Sequence, residues 1–402
     1  MANTSITIYP QYNSNQVTSI NCGTSLPKLS GSVNLTYFPN LTSFTCISND
    51  IISLSGYNEN SNLKILKCND NKITGNIPSL SSNIKLVSFH VQNNNLIGNI
   101  PNLNANNELV EFYCHNNNIT GPIPNLNNNP QLKYFLCSVN ELTGVIPSLS
   151  GLPNLLTLSC DTNFLSGPIP NLSNNILLSN FFCHTNSLTG SIPSLDNNVN
   201  LNRFHCGYNQ LSGNIPDLTA NINLLSFYCH YNSLSGYNAG GISINTGTFN
   251  AQNNQLTTSA VDLILHAFWA ANRTSGTKIL YIGGSGNAAP SYTGGVTTTS
   301  LGSNFTKSGT LVTANVTNHN HTSGNIVTIT GITPTAFQGT FTVTVNGPNQ
   351  FQYNTISSGT ATGAGTVRMR RTTNNSDGYA SYQNLALVSR VGGPWDIQIN
   401  QP

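Results

Sequence analysis

Apolar and polar positions repeat along the first two thirds of the chain. Asn49, Asn71, Asn94, Asn117, Asn140, Asn163, Asn186, Asn209, Asn232 and Asn254 form one column, with seven of the nine gaps equal to 23 residues and two equal to 22. In the unit from Leu109 to Gln131, Leu109, Phe112, Cys114 and Ile119 precede Gly121, Ile123 and Pro124. Phe112 and Cys114 alternate with polar neighbours, the period of a short strand with one buried face. Self-similarity at this period predicts stacked units, because one unit cannot bury its own apolar face. The asparagine falls where the chain turns out of the strand, so its amide is positioned to satisfy backbone groups there. We single out Asn94, Asn117, Asn140, Asn163 and Asn186 as structural on this ground.

The spacing LxxLxCxxNxL followed by GxIP resembles the leucine-rich repeat in its LxGxIP, plant-type subclass, over about residues 41–255. The resemblance implies a mainly β, right-handed solenoid of about 23-residue repeats, and a role in recognition. Degenerate rungs precede it, with Ile20 and Cys22 standing as Phe44 and Cys46 do. After the array, residues 259–272 carry apolar positions at helical spacing and 278–282 read as a strand; 379–391 and 395–399 form a second such pair. With the segment Gly283 to Ser291, these pairs resemble the terminal units of repeat proteins in phage and bacterial surface genomes. Between them, 311–316, 326–329, 340–345, 351–353 and 366–369 are Thr/Val-rich candidate strands. They resemble a small immunoglobulin-like β-sandwich inserted into the closing cap. The expected division is 1–40 for an N-terminal cap and degenerate repeats, 41–255 for the solenoid and 256–303 for helix-strand cap units. The inserted sandwich takes 304–373, and a final cap helix and strand take 374–402.

The nine cysteines, Cys22, Cys46, Cys68, Cys114, Cys137, Cys160, Cys183, Cys206 and Cys229, all fall in the inward column. An odd number cannot all pair. Neighbouring rungs about 4.8 Å apart with parallel side chains match disulfide geometry poorly. Val91 and Ala251 take the same position in other rungs, so it calls for a small apolar group and the thiols read as core.

Composition narrows the setting. Only 6% of the 402 residues are charged, against roughly 25% in ordinary soluble domains, so Asn, Ser, Thr and Gly must hydrate the surface. A net charge of +2 is too small for the phosphate neutralisation that drives nucleic-acid binding. Met1 to Pro10 lacks the basic and apolar regions of a signal peptide, and no apolar run is long enough to span a membrane. A surface of this kind without an export signal suits a virion protein released by lysis. A tail-fibre, adhesin-like or capsid-decorating component is therefore expected, on its own or within an oligomeric assembly. The alternative is a bacterial secreted or cell-surface adhesin or protein-interaction module.

Side chains flanking each cysteine face the opposite, concave side of the strand. There Phe182, His184, His205, Tyr208, Tyr228, His230 and Tyr231 concentrate in the C-terminal rungs. A solvated sheet tolerates aromatics for cross-strand packing, but such rings also suit a recognition surface for host glycan or protein, or for other virion proteins. In the second reading Tyr208 and Tyr228 anchor the ligand while His205 and His230 orient it. Metal and cofactor sites are not expected. Adjacent residues such as Cys114 and His115 point to opposite faces, and His184 and His230 are separated by about 10 Å across Gly207. Ser138, Asp161 and His184 occupy successive rungs, yet a triad needs the base between nucleophile and carboxylate. Glu111 and Asp161 are on the order of 16 Å apart, too far for a glycosidase pair. The chain is therefore read as non-enzymatic. Arg368, Arg370 and Arg371 form the only basic cluster, which suits a solvated strand edge or, alternatively, contact with an acidic neighbouring subunit.

Overall fold

From Ser43 to Asn250 every repeat opens with a three-residue strand whose central side chain is buried, and these strands pair in parallel with a further strand at the start and two at the end, one per rung. In the computed structural model thirteen strands form this one sheet. It starts at Ser19–Asn21, passes through strands such as Ser88–His90, Glu111–Tyr113 and Arg203–His205, and ends at Lys278–Tyr281 and Trp395–Gln398. The structure describes residues 14–23, 28–238, 240–242, 246–270 and 278–288, and beyond these the strands between residues 299 and 398. The fold is a leucine-rich-repeat solenoid.

Register stacks like on like. Phe89, Phe112 and Phe135 pair across successive strands, with ring centroids 5.2 and 5.3 Å apart. A second run continues from Phe181 through Phe204 and Phe227 to Phe249. All are fully buried, and burying each ring contributes roughly 1.5–3 kcal/mol. Each cysteine lies one residue beyond its strand and extends the ladder, as where Cys114 N–H donates to Leu136 O at 2.9 Å. Cys46, Cys68, Cys114, Cys137, Cys160, Cys183, Cys206 and Cys229 are buried free thiols, while Cys22 is half-exposed.

The asparagine column stitches rung to rung. Asn140 Oδ1 accepts from Ile119 N–H at 3.0 Å, and its Nδ2 donates toward Cys114 O, Cys137 O and Ser138 O at 3.1–3.2 Å. Asn94, Asn117, Asn163 and Asn186 repeat the pattern. A second buried asparagine column, unread in the sequence, runs through Asn60, Asn83, Asn106, Asn129, Asn175, Asn198 and Asn221. Asn129 Nδ2, for example, donates to Leu103 O and Asn106 O at 2.9 and 2.8 Å. Leu152 takes this place in one rung.

The GxIP segments are more than return loops. Thr120–Pro122, Glu141–Val145, Phe164–Pro168, Ser187–Gly190, Gln210–Ile215 and Ser233–Tyr237 form a second, six-stranded parallel sheet. Gly121, Gly144 and Gly167 sit there at φ 72–77°, a left-handed conformation that glycine adopts freely.

The chain divides into two compact units, one of Met1–Leu256, Gly276–Asn287 and Trp395–Ile399, the other of Thr257–Ser275, Ala288–Pro394 and Asn400–Pro402. The second unit contains the helix Thr258–Ala270 and two four-stranded antiparallel sheets. Of the expected strands there, the one at 340–345 is two, Gly339–Thr342 and Thr344–Gly347, and Thr299–Ser300 and Phe305–Ser308 are additional. The expected helix at 379–391, Arg371 and residues 1–13 of the N-terminal cap lie outside the described residues.

Candidate functional site

The solvent face of the long sheet carries two clusters of side chains. In the C-terminal rungs, parallel register places His205 against Tyr228, and their rings stack at 4.2 Å and 8°. Phe182 leans on His205 at 5.1 Å. Tyr208 and Tyr231 follow their strands by three residues and stack at 4.5 Å and 10°. His230 joins the two stacks, standing edge-on to Tyr208 at 5.1 Å and to Tyr228 at 6.0 Å. Six of the seven residues expected at this site therefore form one connected patch. The seventh, His184, faces Asp161, with Nε2 3.5 Å from Oδ2, while Ser159 Oγ donates to the other carboxylate oxygen at 2.6 Å.

These rings stack along the solenoid axis, so within each pair one face of each ring covers the other's. Solvent meets mainly edges and hydroxyl groups, and Tyr208 and Tyr231 are 50% and 46% exposed. Burial pushes the His205 imidazole down to about 4, helped by the charges of His184, Arg203 and His230. His230 is lowered too, by burial and then by His184. Both rings are neutral at pH 7. Gly207 makes room for one of them, since a Cβ there would lie 2.7 Å from His230 Cε1.

The second cluster lies in the N-terminal rungs and was not read from the sequence. Ser88, His90 and Glu111 meet across adjacent strands: Ser88 Oγ donates to Glu111 Oε2, and His90 Nε2 lies 2.9 Å from the same oxygen. Lys67 Nζ is 3.9 Å away, and Tyr113 stacks on His90 at 4.1 Å. The clue lies in register, which sets Glu111 beside Ser88, whereas residue type alone pairs the carboxylate with Asp161. Burial would raise the Glu111 carboxyl, but the Ser88 hydroxyl, His90 and Lys67 outweigh it and hold the carboxyl low. Burial, then Lys67, lowers His90, so its contact with Glu111 at pH 7 is a hydrogen bond from Nε2–H. That nitrogen is also the one 3.1 Å from Ser88 Oγ, so it cannot accept the serine proton. Residue types of a hydrolase are present without the geometry of one. Among the described residues, no group of three or more His, Cys, Asp or Glu is placed to hold a metal ion.

No protein-family model and no curated protein matches the chain. Solved structures do. A plant peptide hormone receptor, RGFR1 in complex with RGF2, superposes with a TM-score of 0.54 at 25% identity, over 64% of this chain and 46% of the receptor chain. The Arabidopsis receptor kinase HAESA, in complex with the peptide hormone IDA and the co-receptor SERK1, gives 0.52 at 25% identity, over 64% and 49%. The chain thus spans about half the length of the structures it matches.

Proposed function

We propose that the chain is a non-catalytic protein-binding module that holds its partner on the solvent face of the long sheet, between Phe182 and Tyr231. The observation that carries this is the connected patch of Phe182, His205, Tyr208, Tyr228, His230 and Tyr231. Amphipathic rings left exposed at a fixed spacing offer apolar area and hydrogen bonds together. Their closed faces favour protein over sugar, because a sugar ring stacks on an open aromatic face. Two neighbours of the fold, the plant receptors RGFR1 and HAESA, are solved with peptide hormones, which supports the same choice.

The charge-poor surface suits work outside a cell, and no helix among the described residues is long and apolar enough to cross a membrane. Within that setting we favour a virion surface component, in a tail fibre or as capsid decoration, over a bacterial surface adhesin. Support comes from the charge-poor composition and from the resemblance of the Thr/Val-rich sequence at 304–373 to an immunoglobulin-like module.

Attachment of the purified chain to candidate host cells tests the reading. The paired variant Tyr208→Ala, Tyr228→Ala is expected to lose attachment at least tenfold while unfolding cooperatively, since neither ring reaches the Phe/Cys core. Protease treatment of the cells should abolish attachment and glycosidase treatment should spare it. A folded double variant that attaches normally removes this face from consideration.

A further inference from the structure

One residue in each rung, two positions after the cysteine or its equivalent, has a left-handed backbone. The row is Ser48, Asp70, Asn93, Asn116, Val139, Thr162, Thr185, Tyr208, Tyr231 and Asn253, with φ between 51° and 57°. The ladder imposes this conformation. Each N–H at the position donates to a carbonyl of the next rung, as from Val139 to Asp161 O at 3.0 Å, Thr162 to His184 O at 2.9 Å and Tyr208 to His230 O at 2.9 Å. Asn and Asp adopt the left-handed region readily, whereas a branched Cβ is strained there. Among the outer rungs Asp70, Asn93, Asn116 and Asn253 follow that preference and Ser48 does not. The five consecutive rungs Val139, Thr162, Thr185, Tyr208 and Tyr231 do not.

Burial does not offset the strain, because all five side chains are exposed. Tyr208 and Tyr231 recover something by stacking, and Thr185 Oγ1 lies 3.3 Å from His184 Nδ1. Val139 and Thr162 fill positions where asparagine would serve the fold better. Strain held at exposed side chains is a feature of functional surfaces.

We infer that these five residues form the strip along which the partner lies, and that the partner is an extended, uncharged segment of another protein running parallel to the solenoid axis. The inference rests on the proposal that this face binds protein. Four rung steps of about 4.8 Å span about 19 Å, the length of roughly six residues of extended chain. None of the five side chains is charged, so the strip itself offers no ion pair to a charged segment. The Val139 side chain and the tyrosine edges offer apolar contact, while Thr162, Thr185 and the tyrosine hydroxyls can pair with peptide N–H and C=O groups.

The test uses the full chain against a displayed library of random ten-residue peptides, with a glycan array in parallel. Selection should enrich uncharged peptides. Their affinity should fall about tenfold or more in the triple variant Val139→Asn, Thr162→Asn, Thr185→Asn, whose Tm should rise because strain is relieved. Peptides that bind this variant as tightly as the parent but are lost to Tyr228→Ala would overturn the strip and leave the wider face standing. Absence of enrichment, or binding confined to glycans, would overturn the peptide partner. A lowered Tm in the triple variant would show that the three side chains support the fold, and the strain argument would fall.

Discussion

The two halves of one sheet face use similar residues to opposite ends. In the N-terminal rungs Lys67, Ser88 and His90 converge on the Glu111 carboxylate. Ser88 and His90 are nearly inaccessible, at 5% and 8% exposure. Ser88 and His90 direct their hydrogen bonds to each other and to Glu111, within the fold. In the C-terminal rungs His205 Nε2 lies 2.7 Å from Ser226 Oγ, while its ring and that of His230 hold tyrosines of which Tyr208 and Tyr231 are half-exposed. Identity of side chains would not separate the two; both halves offer His stacked on Tyr at nearly equal distance. What separates them is how much capacity is left facing water, and a partner can use only that remainder.

The largest effect that could break this contrast is on stability in the N-terminal half. Glu111→Leu removes the common acceptor of Ser88 and His90 and should cost about 2–3 kcal/mol, the penalty for stranding buried polar groups. Chemical denaturation measures it, and peptide or cell binding should be unchanged. A loss of binding with little loss of stability would make the N-terminal cluster part of the recognition surface and erase the distinction.

Acidification should expose the histidine stacks next. His205 is held at about 4, below the ordinary imidazole value of roughly 6.5. Between those values the unfolded chain binds a proton that the folded chain refuses, so stability falls as pH drops through that window. His90, His115 and His230 are displaced in the same direction and add to the slope. Glu111, held low, contributes stability that is present above the ordinary carboxylate range and is lost as pH falls through its own lowered value. For His205, which is partly exposed, solvent screening reduces the effect to about 1 kcal/mol. His205→Phe, which keeps a ring against Tyr228, should flatten the decline of Tm from pH 7 to pH 4. An unchanged slope would mean that the stack does not depend on a neutral imidazole.

Sequence alone reached the solenoid, the buried Phe and Cys columns and the grouping of rings because each rests on a strict period. Alternation around Cys114 assigns a face to every neighbour, and the 23-residue repeat aligns the faces. The second sheet was hidden by its own glycines, since Gly121 and Gly144 interrupt the apolar alternation that marks a strand. Asn106 and its column were lost among many other asparagines in a chain where the residue is common. Neither Val139 nor Thr162 has the composition of a left-handed position, so only backbone geometry could find them. The Ser88–Glu111 contact needed the exact pairing of two strands, which a period implies but does not single out. The relation of His230 to Gly207 is of the same kind.

That relation gives the smallest and most specific effect. Where neighbouring rungs place Ser138, Asp161 and His184, this rung has Gly207, and the imidazole of His230 fills the space a side chain would take. Gly207→Ala brings two opposed changes. Loss of glycine's freedom in the unfolded chain favours folding by about 0.4–1 kcal/mol. A Cβ 2.7 Å from Cε1 and 2.8 Å from Nδ1 of His230 must turn the ring away from Tyr208 and Tyr228, which forfeits edge-on contacts of about 0.5–1.5 kcal/mol. The net change in stability should therefore stay within about 1 kcal/mol of zero. The local change should be clear, because an imidazole turned toward water regains hydration and its lowered titration point rises toward the ordinary value. NMR titration of the ring protons should show His230 moving upward in Gly207→Ala while His90, in the other half of the face, titrates as before. A His230 midpoint that stays in place would mean that the glycine niche is not what holds the ring between the two tyrosine stacks.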